Sequence, residues 1–215
     1  FSRKFDENGT PTIWKARLVI GGHKQLEGID YDEYYASVAR AQTVRTLMSI
    51  ATNLDWDVHQ MDYDTAFLNG DIDTKIHMTS PKGLDLIGVH LNEDDLIVLN
   101  KALYGLKQSA RLWKQTVDQM MTKLGFEKSL TDTAVYYQPG CIIAVYVDDL
   151  LIMTKNLQIW KRVEKGLLEA YAAKSLGPLT HYLGMLWKRD RKTGRSWLNQ
   201  SVYCQNVLTR YKMHD

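Results

Sequence analysis

The sequence predicts an α+β fold, in which a small antiparallel sheet is backed by helices. Short apolar runs of strand length, separated by turn residues, and longer stretches with apolar residues at helical spacing both occur along the chain. Their mixed order favours strands and helices that share one sheet. With 215 residues, of which 45% are hydrophobic, the chain is long enough to bury a core in one or two closely packed domains.

The first part of the chain predicts a hairpin, a helix and a strand. Residues 14–20 alternate loosely and predict a strand, and the turn residues 7–11 before them suggest that this strand belongs to a hairpin. Apolar residues recur at helical spacing over 41–54. A short strand over 56–61 follows, with Asp62 at its end.

The second part of the chain predicts further elements of both kinds. Turn residues at 138–140 and 193–194 separate strand-like runs, and Gly125 is placed to end a helix. The predicted elements are helices over 109–124, 157–171 and 201–211, and strands over 134–137, 141–147, 150–154, 182–187 and 196–200.

The net charge of +2 does not indicate a nucleic-acid partner by itself, but the charges are unevenly distributed. Residues 55–73 contain six aspartates and no lysine or arginine. Basic residues gather in three groups, each of which is either a solvated face or a phosphate-binding surface. The groups are Lys101, Lys107, Arg111 and Lys114; Lys155, Lys161, Arg162 and Lys165; and Lys188, Arg189, Arg191, Lys192 and Arg195.

Cysteine and histidine usage argues against several kinds of site. The two cysteines suggest neither a disulfide framework nor a zinc knuckle, and the six histidines lack the spacing of zinc hydrolases, so any metal would be held by carboxylates. We expect a soluble protein of a reducing, intracellular compartment, because the sequence shows no membrane-spanning run and no signal-peptide pattern. The abrupt start at Phe1 leads us to expect a piece of a longer chain.

The strongest local feature is a pair of acids, Asp148 and Asp149, in the middle of the apolar run 142–153. Unpaired charge beside a dry sheet costs several kcal/mol per ion, so the pair either forms an exposed hairpin tip or holds a cation. Asp62 ends a predicted strand in the other segment where acids interrupt apolar sequence, and two strand ends can converge. Such carboxylates, with waters and a substrate phosphate, are what Mg²⁺ requires, and two ions about 4 Å apart support polymerase chemistry.

Six motifs occur in a fixed order along the chain. They are Lys15-Ala16-Arg17-Leu18-Val19, Gly28-Ile29-Asp30-Tyr31, Gln60-Met61-Asp62 with Thr65-Ala66-Phe67-Leu68-Asn69-Gly70, Leu103-Tyr104-Gly105-Leu106-Lys107-Gln108, Tyr146-Val147-Asp148-Asp149, and Tyr182-Leu183-Gly184. A Tyr-Val-Asp-Asp motif alone would be weak, whereas six blocks in order are highly specific. Through these blocks the sequence resembles the reverse transcriptase domain of Ty1/copia-type LTR retrotransposon polyproteins over almost all of its length.

The resemblance implies a right-hand polymerase with fingers, a palm and a partial thumb. The implied activity is that of an RNA-directed DNA polymerase, which adds deoxynucleotides to a primer 3′-hydroxyl by two-metal-ion catalysis. The implied subdomains are partial fingers over 1–54, palm over 55–74, a return to the fingers with the template and nucleotide block over 75–108, palm with the YVDD hairpin over 109–180, and the primer grip with the start of the thumb over 181–215.

The resemblance also implies roles for individual acidic and hairpin residues. Asp62, Asp148 and Asp149 would be catalytic and would hold two Mg²⁺ ions, for which Mn²⁺ can substitute. Asp149 would make the weaker or indirect contact. Tyr146 and Val147 would line the primer terminus.

Further residues are implied to bind the nucleotide, the primer or the template, and each has a structural alternative. Phe67 would block a ribose 2′-hydroxyl, although the residues alone indicate a core position. Lys15 and Arg17 would bind the triphosphate, or else form a solvated hairpin edge. Gly105, Lys107 and Gln108 would lie against the nucleotide and template, and Leu183 and Gly184 would belong to the primer grip. For both blocks the structural alternative is a tight turn with a packed strand.

The resemblance implies partners and a location as well. The partners would be an RNA or DNA template with its primer, deoxynucleoside triphosphates, and other segments of the retroelement polyprotein such as RNase H and integrase, with no membrane. The location would be the cytoplasm, in retrotransposon particles, with the nucleus as an alternative.

At two places the sequence departs from the family pattern. Ser109-Ala110-Arg111 stands where Ala-Pro-Arg is expected, and Asp64 stands where a lysine or a small residue is usual. The added negative charge of Asp64 could weaken triphosphate binding, although exposure to water would reduce this effect.

Two hypotheses compete with an active polymerase. One is a domesticated or truncated copia-derived fragment that binds nucleic acid or a protein partner without polymerising. The other is a different palm-type nucleotidyl transferase.

Overall fold

The computed structural model describes residues 2–5, 11–92 and 94–213, and for residues 2, 4, 5, 12, 13 and 15 it describes the backbone alone. The described residues form four α-helices and a set of antiparallel strands, which confirms the predicted mixture of helices with antiparallel sheet. No helix within these ranges combines the length and the apolar character needed to cross a membrane.

The helices and strands have the following bounds. The helices are α1 (Ala41–Asn53), α2 (Ser109–Lys123), α3 (Leu157–Ala170) and α4 (Ser201–Arg210). The strands are β1 (Ser2–Phe5), β2 (Pro11–Lys15), β3 (Asp57–Tyr63), β4 (His77–Thr79), β5 (Leu96–Val98), β6 (Glu127–Lys128), β7 (Val135–Gln138), β8 (Cys141–Tyr146), β9 (Asp149–Thr154), β10 (Ala173–Pro178), β11 (His181–Tyr182), β12 (Met185–Asp190) and β13 (Arg195–Asn199).

The chain divides into two compact units. The first unit comprises Phe1–Ala36 and Thr65–Thr116, and the second comprises Ser37–Asp64 and Val117–Asp215. In the first unit, the hairpin β1–β2 and the pair β4–β5 are separate two-stranded sheets, and a small apolar cluster forms around Ile76, Leu103 and Leu106.

The second unit is built on a six-stranded sheet. Its strand order is β10-β3-β9-β8-β7-β6, and every neighbouring pair is antiparallel. Strands β6 to β9 follow one another along the chain as a meander, while β3 and β10 join at the other side. The hairpin β12–β13, with the short β11, forms a separate three-stranded sheet in the same unit.

Helices cover the six-stranded sheet on both faces. Val58 of β3 belongs to the apolar cluster that contains the buried stripe of α1, whereas the next residue, His59, stacks on Trp160 of α3. Because successive strand residues point to opposite faces, α1 and α3 lie on opposite sides of the sheet. Residues 150–153 of β9 are accordingly at most 1% exposed, which explains why this strand is apolar throughout instead of alternating.

The helices form where their apolar stripes and caps predict them. In α1 the buried residues Val44, Leu47, Met48 and Ala51 recur at the spacing of one helix face. Helix α3 begins after Asn156, whose side-chain oxygen accepts a hydrogen bond from the backbone N–H of Ile159 at 3.0 Å.

Several predicted strand and turn boundaries differ from the structure, beginning at the first hairpin. The strand predicted over 14–20 is wrong, since β2 ends at Lys15 and the chain then leaves the hairpin so that the backbone N–H of Ile20 donates to the carbonyl of Tyr104. The turn predicted before it falls on residues 6–10, which lie outside the described residues, and on Pro11, which begins β2. Strand β3 extends to Tyr63, so Asp62 lies within the strand and not at its end.

His59 is a buried titratable group on the α3 side of the sheet. It is 8% exposed, its ring lies parallel to that of Trp160 with centroids 3.9 Å apart, and its Nδ1 has no hydrogen-bond partner among the described residues. Burial lowers the pKa of His59 below its ordinary value, and the carboxylates of Asp57 and Glu164 only partly oppose this.

We expect His59 to make the stability of the protein depend on pH. Because its pKa is lower in the folded than in the unfolded chain, its contribution is fully present above the unfolded value of about 6.5 and is lost as the pH falls towards the folded value. Urea unfolding at pH 7.5 and pH 5.5 measures this loss. His59→Phe, which keeps a ring against Trp160, should show a smaller loss than the parent.

A matched control for this prediction is His181→Phe, because His181 is an exposed histidine of the same unit. It should leave the loss of stability between the two pH values as in the parent. An identical loss in His59→Phe and in the parent would contradict the prediction.

Candidate active site

The three predicted catalytic acids lie at the same end of the adjacent strands β3 and β9. Asp62 is directly opposite Asp149 in the register of these strands, and Asp149 also pairs with Tyr146 to close the hairpin β8–β9. Asp148 is the second residue of the hairpin loop, and its carbonyl accepts a hydrogen bond from the backbone N–H of Tyr63 at 3.0 Å. The structure therefore brings Asp62, Asp148 and Asp149 together.

The loop of this hairpin consists of Val147 and Asp148, not of Asp148 and Asp149 as the sequence predicted. Val147 has a φ of 58°, a conformation that β-branched residues rarely adopt. A positive φ at the first loop residue alone is the pattern of a type II′ turn, which normally has glycine there. Strained positions of this kind cluster at functional sites, so the observed strain supports a functional role for the hairpin tip.

The acids are partly buried and repel one another. The pKa of Asp62 is raised, first by burial and then by the negative charges of Asp148 and Asp149. Burial also raises the pKa of Asp149, although Gln60 opposes this by donating from Nε2 to Asp149 Oδ1 at 3.0 Å. A cation bound between these carboxylates would remove the repulsion.

Asp64, the departure from the family pattern, forms an ion pair with Lys174. Lys174 Nζ lies 2.6 Å from Asp64 Oδ1, and Lys174 stands opposite Asp62 in the register of β10 and β3. The positive charge of Lys174 acts against the rise in the pKa of Asp62, but by less than the negative charge of Asp64 contributes to it. The pair therefore offsets only part of the added negative charge near the acids.

The donor chemistry of the acidic cluster fits a hard divalent cation such as Mg²⁺. In the part of the chain that the structure describes, no three His, Cys, Asp or Glu side chains are arranged to hold a metal ion by themselves. Mg²⁺ does not need such a cage, because it keeps several waters and is bound through one or two carboxylates together with substrate phosphates. The partly buried, mutually repelling carboxylates of Asp62, Asp148 and Asp149 suit that mode of binding.

The predicted primer-grip residues form the tip of a second hairpin in the same unit. Leu183 and Gly184 connect β11 to β12, and both have a positive φ, which is the pattern of a type I′ turn. Leu183 is 38% exposed, so its side chain is accessible to a ligand. Residue 184 has open space around it, and its glycine meets the need for a positive φ.

The third basic group is partly used to hold this hairpin sheet in place. The side chain of Arg189 is 7% exposed and donates to the backbone carbonyls of Ala51, Thr52 and Trp56, which lie at and just beyond the end of α1. Arg189 also pairs with Asp55 at 2.8 Å, as does Arg191. Arg189 is therefore committed to the fold and not free to bind phosphates, whereas the paired side chain of Arg191 is 49% exposed.

Basic residues of the first group are also paired. Lys101 Nζ lies 2.5 Å from Asp71 Oδ1, and Arg111 pairs with Asp73. The acidic segment 55–73 therefore supplies partners to two of the three basic groups. For Lys101 and Arg111, this pairing favours a solvated face over a phosphate-binding surface.

Phe67 lies in the first unit, in a single 3₁₀ turn over Ala66–Asn69. Its partly buried ring packs against Tyr104, with centroids 4.9 Å apart and an interplanar angle of 57°. The guanidinium of Arg17 lies 5.5 Å from the centroid of the same Tyr104 ring. Tyr104 belongs to one of the six family motifs, but the resemblance implied no role for it.

Gly105 allows two backbone segments of the first unit to approach closely. It has a φ of 99°, and a Cβ there would lie 2.1 Å from the carbonyl oxygen of Ile20. A Cβ on Gly22 would in turn lie 1.9 Å from the carbonyl oxygen of Gly105. The close approach at Gly105 is therefore made to another segment of this chain, whereas the resemblance implied an approach to the nucleotide and template.

The neighbouring residues of the same block have different environments. Gln108 is fully buried, and its side chain accepts from Gln25 Nε2 at 2.9 Å and donates to the Asp30 carbonyl at 2.8 Å. Lys107 is exposed, with its Nζ 5.2 Å from the ring centroid of Tyr31. The role predicted for Gln108 would require this network to open, whereas Lys107 is accessible.

Two remaining predictions concern Lys15 and Ala110. Lys15 is the last residue of β2, and its side chain lies outside the described residues. Ala110 lies in the first turn of α2, where alanine and proline are both tolerated, so this departure leaves the helix intact.

The predicted site residues are thus divided between the two units. The described candidates for nucleotide binding, Arg17, Phe67, Gly105, Lys107 and Gln108, belong to the first unit. The acids and the two hairpin tips, Asp62, Tyr146, Val147, Asp148, Asp149, Leu183 and Gly184, belong to the second.

A family model and several individual relatives point to the same protein family. A family model described as reverse transcriptase (RNA-dependent DNA polymerase) matches residues 1–215. The chain is 36% identical to the retrovirus-related Pol polyprotein from transposon TNT 1-94 of Nicotiana tabacum, and 31% identical to that from transposon RE1 of Arabidopsis thaliana. Both alignments cover 99% of this chain.

A yeast relative extends the comparison. The transposon Ty1-BL Gag-Pol polyprotein of Saccharomyces cerevisiae is 32% identical over 180 residues, which cover 81% of this chain. The chain spans 16%, 14% and 9% of the length of these three polyproteins, in the order given. These matches confirm the resemblance to Ty1/copia-type retrotransposon polyproteins. The chain belongs to the reverse transcriptase family of RNA-dependent DNA polymerases.

Proposed function

We propose that the chain is an active RNA-directed DNA polymerase, which adds deoxynucleotides to a primer 3′-hydroxyl on an RNA or DNA template. The observation that carries this proposal is the meeting of Asp62, Asp148 and Asp149 at one end of β3 and β9, in a member of the reverse transcriptase family. The proposed arrangement is a right hand, with the acids in the palm, fingers before residue 55 and again near 75–105, and a thumb approached near the C-terminal residues.

The acids are proposed to serve as oxygen ligands for two Mg²⁺ ions. Asp62 and Asp148 would be the principal ligands, and Asp149, already bonded to Gln60, the weaker or indirect one. When bound, the ions would lower the pKa of the primer hydroxyl and stabilise the charge that develops on the leaving pyrophosphate.

Other residues of the chain are proposed to position the substrates. Tyr146 and Val147 would contact the primer end, next to the acids with which they share a hairpin. Arg17 offers paired donors for the triphosphate, and Phe67 would exclude a ribose 2′-hydroxyl by its volume. Leu183 and Gly184, at their exposed hairpin tip, would support the primer strand.

The proposal includes partners beyond the nucleotide. The relatives are polyproteins by name, which supports partners among other segments of the same polyprotein, such as RNase H and integrase. The corresponding location would be the cytoplasm, in retrotransposon particles.

Primer extension tests the proposed function. The purified protein would be given labelled primer on matched RNA and DNA templates, with deoxynucleotides and Mg²⁺, Mn²⁺ or EDTA. Extension on RNA that requires a divalent cation is the expected result. Tight binding of primer–template without extension under any of these conditions would favour the non-polymerising fragment.

A further inference from the structure

Tyr104 contacts two residues that are proposed to recognise different parts of the incoming nucleotide. Its ring packs against Phe67 at 4.9 Å between centroids, and the guanidinium of Arg17 lies 5.5 Å from its centroid. A tilted pair of rings at this distance is an attractive aromatic contact, and a guanidinium within about 6 Å of a ring makes a cation–π contact. All three residues belong to the first unit.

The backbone fixes Tyr104 relative to the segment that follows Arg17. The carbonyl of Tyr104 accepts a hydrogen bond from the N–H of Ile20 at 2.9 Å. On either side of this bond, Gly22 and Gly105 approach so closely that a Cβ at either position would overlap the other segment. Arg17 is therefore only three residues from a rigid junction with Tyr104.

We propose that Tyr104 is a positioning residue that couples sugar selection to triphosphate binding. Tyr104 holds the ring of Phe67 in place, and its own ring attracts the guanidinium of Arg17. The inference rests on the proposed function, because it assigns Tyr104 to the same nucleotide site. It adds a determinant of deoxynucleotide specificity that contacts the two recognition residues and not the reacting atoms.

Removal of the ring is expected to change two kinetic quantities at once. In Tyr104→Leu, Phe67 gains freedom to move, so discrimination against ribonucleotides should fall by about 10-fold. Arg17 loses its cation–π partner, so the KM for deoxynucleotides should rise about 3-fold or more. The kcat for deoxynucleotides should stay within about 3-fold of the parent, because the lost contacts help to bind the nucleotide and do not act on the reacting atoms.

Single-nucleotide incorporation with dNTP and rNTP provides the test. Tyr104→Phe keeps the ring and should restore both the parental selectivity and the parental KM. Tyr34→Leu is the matched control, since Tyr34 is a 60% exposed ring of the same unit and should leave both quantities unchanged. Melting temperatures of all variants show whether the fold is retained, and Tyr104→Met, which keeps much of the side-chain volume, replaces the leucine variant if that variant does not fold.

The outcomes separate this inference from the proposed function. If Phe67→Val lowers sugar discrimination while Tyr104→Leu or Tyr104→Met changes neither selectivity nor KM, the role of Tyr104 is refuted and the site remains. If kcat alone falls, Tyr104 is not a positioning residue. If no variant of the set extends a primer, including the parent, the proposed function itself fails.

Discussion

Asp148→Asn is expected to lower the rate of primer extension by roughly 10³-fold or more, because the amide keeps the shape of the side chain but lacks the charge that would hold Mg²⁺. Asp148 lies in the two-residue loop beside Asp62 and Asp149, so no other residue can take its place without moving the hairpin. A 10³-fold loss corresponds to about 4 kcal/mol of transition-state stabilisation.

The fold should survive this substitution. The negative charge of Asp148 raises the pKa of Asp62 and of Asp149, so its removal relieves repulsion and should not lower the melting temperature. Primer–template binding, measured by fluorescence anisotropy, should stay close to that of the parent. Extension within tenfold of the parent would rule out Asp148 as a principal metal ligand.

A matched control for this experiment is Asp190→Asn. Asp190 is a carboxylate of the same unit that accepts from the backbone N–H of Lys192 at 2.9 Å in the turn after β12. An asparagine oxygen can accept the same hydrogen bond. The variant should therefore extend primers at the parental rate.

Phe67→Val is expected to raise ribonucleotide incorporation relative to deoxynucleotide incorporation, by an amount that approaches 10²-fold if the ring blocks the 2′-hydroxyl. The parent must first discriminate between the two sugars. The partly buried ring of Phe67, held on one side by Tyr104, leaves part of its surface free for such a contact. Single-nucleotide incorporation on the parent and the variant measures the ratio.

A core role for Phe67 gives a different result. The loss of a packed ring would then cost about 1–3 kcal/mol of unfolding free energy and leave the sugar ratio unchanged. Leu68→Val is a suitable control, because Leu68 is 38% exposed in the same 3₁₀ turn. A lowered melting temperature with an unaltered ratio would remove Phe67 from the nucleotide site.

The helices were predictable because their signals are local. The apolar stripes of α1, α2 and α3 have helical spacing, and their predicted bounds lie within one residue of the observed ones. Strands β8 and β9 were predictable for a related reason, since a strand buried on both faces is apolar throughout. The loop between them was placed one residue late, because acids favour turns and a valine with positive φ is not expected in one.

Features that depend on contacts between distant residues were not predicted. Strand β10 is mostly exposed and contains Gly177 and Pro178, so nothing in its sequence indicates a strand, and it forms by pairing with β3. Lys174 on this strand was missed for that reason, although it forms an ion pair with Asp64. The roles of the acids came from the family resemblance, while their shared location follows from the register of β3 and β9.

The order of strands in the six-stranded sheet has a consequence for how the protein folds. Strands β6 to β9 are consecutive in the chain and can pair through short loops, which close at little entropic cost. Strand β3 comes from more than 60 residues earlier, so its pairing with β9 requires a large loop to close and is intrinsically slower. In a chain that has formed only this local meander, Asp62 is therefore not yet placed beside Asp148 and Asp149. The acidic cluster is complete only once this long-range strand is in place, so we expect the proposed metal site to form late in folding.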